Sequence, residues 1–66
     1  MRLAEAMKRA VAEDDAVEFG MIADFCRYKL GWKYDKLVAE TCRVAGCEPA
    51  VVDGLLHEAD EIESNT

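Results

Sequence analysis

The sequence predicts an all-α fold, a compact bundle of three to four short helices. Three observations carry this. Apolar residues recur at helical spacing in separate stretches of the chain. Gly31, Gly46 and Pro49 fall between those stretches, where helices stop and start. No stretch alternates β-branched and polar residues as a half-buried strand does.

The first helix is expected over residues 2–12, with Leu3, Met7, Ala10 and Val11 on its inner face and Glu5 and Arg9 able to pair four residues apart. A break follows at "AEDD". Asp15 with Glu18 three residues on has the form of a capping box, which starts a second helix at about Asp15 and carries it to Lys29. Val17, Met21, Ile22, Phe25 and Cys26 are expected to face inward. Positions 3, 7, 10, 14, 17 and 21 also satisfy a heptad, so one long helix across the break stays open, with Asp14 at a core position against it. Gly20 lowers helix propensity by about 1 kcal/mol, so it either admits a close backbone approach or marks a weak point.

Gly31 stops the second helix, and "GWKY" leads into a third from Tyr34 to Ala45. Its small or apolar positions are Leu37, Val38, Thr41, Cys42 and Val44 or Ala45. Gly46 suits a left-handed C-terminal cap. Pro49 suits the first turn of a fourth helix, where no donor is needed, and Val51, Val52, Leu55, Leu56, Ala59 and Ile62 form its apolar stripe. Residues 1–66 are expected to be a single small helical domain, with residues 63–66, "ESNT", a frayed tail.

A chain of 66 residues buries only about 60% of the surface its unfolded form exposes, so a partner subunit is a natural source of added stability. The opening "MRLAEAMKRA" holds Glu5, Lys8 and Arg9 where a signal peptide needs an unbroken apolar core, and charges interrupt every window long enough to cross a bilayer. A soluble, cytoplasmic protein with reduced thiols is expected, the cysteines being three in number. The net charge is −6, and its distribution is uneven. Residues 1–46 balance eight basic against eight acidic side chains, whereas residues 47–66 hold six acids and no Lys or Arg. That asymmetry favours a partner with a basic surface.

"RVAGCEPAVVDGLL", Arg43 to Leu56, resembles the turn and second helix of a helix-turn-helix unit, with Cys42, Gly46, Cys47, Val52 and Leu55 in the structural places. "RYKLGW", Arg27 to Trp32, looks like the Arg-x-x-x-Gly opening of phage-repressor-type domains. The outward positions of the second helix of this unit, however, are Glu48, Ala50, Asp53, Gly54 and His57, which phosphates would repel. "LGWKYDKLVAETCRVAGCEPAVVDGLL", Leu30 to Leu56, also resembles the later two helices of ubiquitin-associated domains. Leu30, Gly31 and Trp32 match that family's loop, and Val51, Val52, Leu55 and Leu56 its final helix, while Glu40, Thr41 and the extra N-terminal helix depart from it. The resemblance implies a compact helical module that grips a protein partner through an apolar patch.

Chemistry offers less. Cys26, Cys42, Cys47 and His57 have the stoichiometry of a zinc site, but the closest pair, Cys42 and Cys47, has four residues between and spans a helix end, and buried cysteine commonly packs as a small hydrophobe. A Cys could pair with His57, the only histidine, which Asp53 and Glu61 flank at four residues on either side. A solvated helix face has the same pattern, however, the domain is too small for much of a pocket and the only serine is Ser64 in the tail, so neither enzymatic activity nor a cofactor is expected. The segment Cys26 to Lys36 interleaves Arg27, Lys29, Lys33 and Lys36 with Tyr28, Trp32 and Tyr34, residue types common in binding hot spots, although Trp32 serves equally well as a core plug.

The expected function is a small acidic protein–protein interaction module, an inhibitor or adaptor that docks a basic partner surface and also associates with itself as a dimer. The contact residues predicted from sequence are Trp32, Lys33, Tyr34, Asp53, His57, Glu58 and Glu61. The alternative is a helix-turn-helix-type transcription regulator that contacts DNA through residues 27–36.

Overall fold

The computed structural model describes residues 2–64. Four helices follow one another: α1 Leu3–Ala12, α2 Ala16–Tyr28, α3 Tyr34–Ala45 and α4 Pro49–Ser64. The all-α bundle expected from sequence is what the chain forms. The α2–α4 and α1–α3 pairs pack most extensively, neighbours in sequence fill the remaining sides, and α1 and α4 barely meet.

Each boundary has a local cause. Asp14 takes a left-handed φ of 51° between α1 and α2, so the two are separate helices and the heptad does not run through. The Asp15 side chain accepts from the Glu18 N–H at 3.1 Å, which supplies the N-terminal cap of α2. Gly31 and Gly46 have φ of 70° and 67°, a region that Cβ-bearing residues rarely occupy. At Gly46 the backbone N–H donates to the Cys42 carbonyl at 2.9 Å, closing α3. The Trp32 N–H donates to the Cys26 carbonyl at 2.9 Å, turning the chain back so that the indole packs on the core.

The core is formed by Met7 and Ala10 of α1, Phe19, Ile22, Ala23 and Cys26 of α2, Leu37 of α3, and Val52, Leu55 and Leu56 of α4, with Ala16 at the start of α2. Thr41 is fully buried, and its hydroxyl donates to the Leu37 carbonyl at 2.8 Å, so the polar atom is satisfied.

Four sequence expectations change. In α2 the inner face belongs to Ala16, Phe19, Ile22, Ala23 and Cys26, whereas Val17, Met21 and Phe25 are exposed at 56%, 58% and 48%. This helix is apolar almost all round, so spacing alone does not select a face; small side chains do, because they let α4 come close. On α4, Val51 and Ile62 are half-exposed at the edges of the stripe. Arg9 pairs with Glu13 at 2.7 Å rather than with Glu5. Finally, α4 extends to Ser64, two residues into the expected tail, and residues 65 and 66 lie outside the described residues.

Candidate functional site

The rotation of α2 creates the surface of most interest. Val17, Met21, Phe25 and Tyr28 recur at intervals of three or four residues and line up on the solvent side of α2. Beside them, α2 and α4 converge on a groove of about 220 Å3. Its floor is Gly20, Ala23, Leu56 and Ala59, and Val17, Met21 and Ile62 stand along its edges. Gly20 explains the close approach: a Cβ there would meet the Ala59 Cβ at 3.0 Å, so the bare Gly20 backbone lets the Ala59 methyl of α4 pack directly over α2. The groove's charged residues are Asp24, Asp60 and Glu63 against Arg27, which leaves it net acidic.

The residues predicted from sequence occupy a different face. Tyr34, at the start of α3, donates its hydroxyl to the Asp53 carboxylate on α4, which joins two of them across helices. The bond and the nearby negative charge raise the Tyr34 pKa above its ordinary value, the bond being the larger cause. His57 Nε2 lies 3.2 Å from a Glu61 oxygen one turn on, both side chains exposed. Asp53, His57 and Glu61 thus form one outward strip, with Glu58 exposed beside it.

Trp32 is half-buried against the core, and Lys36 Nζ sits 5.2 Å from its ring centroid, a cation–π contact. Lys33 is exposed immediately before α3. Of the three aromatics in the segment from Arg27 to Lys36, Tyr28 alone is displayed freely, at 81% exposure.

The chain gives no significant match to a protein-family model, a curated protein or a solved structure.

The thiols are placed for packing. Cys26 is fully buried, and burial pushes its pKa up. Cys47 is shifted the same way, first by burial and then by the neighbouring Cys42 thiol, with which it shares the C-terminal cap of α3. A raised pKa reduces the thiolate fraction and with it nucleophilicity and metal affinity. Among the described residues no group of three or more His, Cys, Asp or Glu side chains is arranged to hold a metal ion. No described helix is long and apolar enough to cross a membrane.

The sequence pattern hides the groove residues, because Val17 and Met21 fit a core stripe as well as a surface one. The signals that point to them are two overlapping apolar stripes in α2 and the small pair Gly20 and Ala59.

Proposed function

We propose that this chain is a small acidic interaction module of the cytoplasm, non-enzymatic, which acts as an inhibitor or adaptor by docking a protein partner with a basic surface. One observation carries the reading: the exposed stripe of Val17, Met21 and Phe25 beside a net-acidic apolar groove. Contiguous exposed apolar surface rimmed by charge is the usual form of a protein contact, because burying it on association recovers hydrophobic free energy while the rim selects the partner. The acidic strip of Asp53, Glu58 and Glu61 extends the same sign of charge over the outer face of α4.

The DNA-binding alternative through residues 27–36 has less support. Trp32 is engaged with the core and Lys36, and Tyr34 with Asp53, so two of its three aromatics already have partners within the chain. Site-specific photocrosslinking tests the proposal. A crosslinking residue at Met21 or Ile62 should capture a protein in the native host, whereas one at Ala39, on the outer side of α3, should not. Crosslinks to nucleic acid from Tyr28 or Lys33, with none from Met21, would contradict it.

A further inference from the structure

We infer that the occupant of the α2–α4 groove is an amphipathic helix of about three turns from a different protein, carrying large apolar residues on one face and Lys or Arg on both flanks. This rests on the interaction reading above and specifies what the groove takes.

Length and shape come first. The groove follows α2 from Val17 to Arg27, ten residue steps, or about 15 Å of helix axis. That is about the length of three helical turns. Its floor combines the small Gly20, Ala23 and Ala59 with the Leu56 side chain, so it leaves room for projecting side chains, while the flexible Met21 can close around them and the stiffer Ile62 makes a fixed edge. An unpaired strand would leave its backbone groups unsatisfied against this surface, since both walls are helices whose backbone groups are already bonded internally. A helix satisfies its own and presents residues at i, i+4 and i+7.

Charge sets the flanks. Asp24 stands on the α2 wall and Asp60 on the α4 wall, so both sides of an inserted helix meet a carboxylate, with Glu63 further along α4 and Arg27 the one basic group in the lining. Basic residues on both flanks of the occupant complement this arrangement, and acidic ones are repelled by it.

A second copy of this chain does not supply such a helix. Among the described residues α1 exposes no large apolar side chain, α3 exposes only Tyr34, and α4 exposes Val51 and Ile62 amid acids. The remaining candidate, α2, carries Asp24 beside its stripe and would set carboxylate toward carboxylate. The occupant is therefore a different protein.

The test is a titration of the full chain, followed by amide NMR, with three peptides of about twelve residues. One is a Leu–Lys peptide with leucines at helical spacing, the second has the same composition in scrambled order, and the third replaces every Lys by Glu. The Leu–Lys peptide should become helical on binding and shift the amides of Gly20, Ala23 and Ala59. The other two should bind at least about tenfold more weakly, the scrambled peptide because it has no continuous apolar face and the Glu peptide because its pairs with the exposed Asp24 and Asp60 become repulsive. Met21→Glu should abolish binding and Ala39→Ser, on the outer side of α3, leave it unchanged. Asp24→Asn with Asp60→Asn should narrow the Lys-over-Glu preference. Equal binding of the scrambled peptide, shifts confined to the Asp53–His57–Glu61 face, or concentration-dependent groove shifts without peptide, which would mean a second copy, each overturn the inference. If Met21 crosslinks a host protein through a segment that is not a basic amphipathic helix, the interaction reading stands and this assignment falls.

Discussion

A methyl group on Gly20 would lie 3.0 Å from the Cβ of Ala59, so Ala59 of α4 packs directly over the bare Gly20 backbone of α2. That contact orients α2, and the orientation decides which of its apolar residues become core and which become surface.

The two faces of α2 should respond differently to truncation. Phe19 is fully buried, and Phe19→Ala should destabilise by about 3–5 kcal/mol through lost burial and a residual cavity. Phe25 is 48% exposed, and Phe25→Ala should cost less than about 1 kcal/mol. Urea unfolding of the two variants measures this, and equal losses would contradict the register.

The glycines should diverge as well. Gly54 lies in α4 with no atom near an added Cβ, so Gly54→Ala should stabilise by about 0.5–1 kcal/mol through helix propensity and unfolded-state entropy. At Gly20 the same gain meets overpacking against Ala59, and a net loss of about 1 kcal/mol is expected for Gly20→Ala. Thermal unfolding separates them. A stabilising Gly20→Ala would mean that the helices have room to spare.

Tyr34 should make stability fall at high pH. Its folded-state pKa is raised above 10.0 by the bond to Asp53, so between the unfolded and folded values the native state holds the phenolic proton more firmly than the unfolded state. The contribution is fully present below the unfolded value and is lost as pH rises through the folded one. Wild type should therefore lose more stability than Tyr34→Phe across that window. Parallel pH profiles would show that the bond contributes nothing.

Thiol labelling near neutral pH should be ordered by burial. Cys42 and Cys47 are half-buried and should react in the native state, Cys47 slowly because its pKa is raised. Cys26 is fully buried with its pKa also raised, so it should react only as fast as the chain unfolds. Site-resolved mass spectrometry follows this, and early modification of Cys26 would contradict the packing.

Much of the fold was legible because it is written in local chemistry. Asp15 caps α2, Gly46 closes α3 and Pro49 opens α4, each acting within a few residues of itself. The inner face of α2 was not legible in that way. Val17, Met21 and Phe25 form one apolar stripe and Ala16, Phe19, Ala23 and Cys26 another, and the choice between them depends on Ala59, nearly forty residues downstream of Gly20. Bulk favours the first stripe, but the second has the small residues that let two helices touch. The candidate site inherited that error. Tyr34 and Asp53 stand out by their chemistry and do meet, whereas the groove depends on the orientation of α2 against α4.

The central claim is that the outward face of α2 is a binding surface. It is tested most directly by the amount of host partner retained by Met21→Glu relative to wild type, for variants matched in helicity and urea midpoint. Met21 is 58% exposed, so the substitution should leave the fold intact while placing a like charge beside Asp24 and Asp60 in an apolar contact. Loss of at least about nine-tenths of the partner is predicted, equivalent to about 1.4 kcal/mol or more. Undiminished retention by a folded Met21→Glu protein would contradict the account.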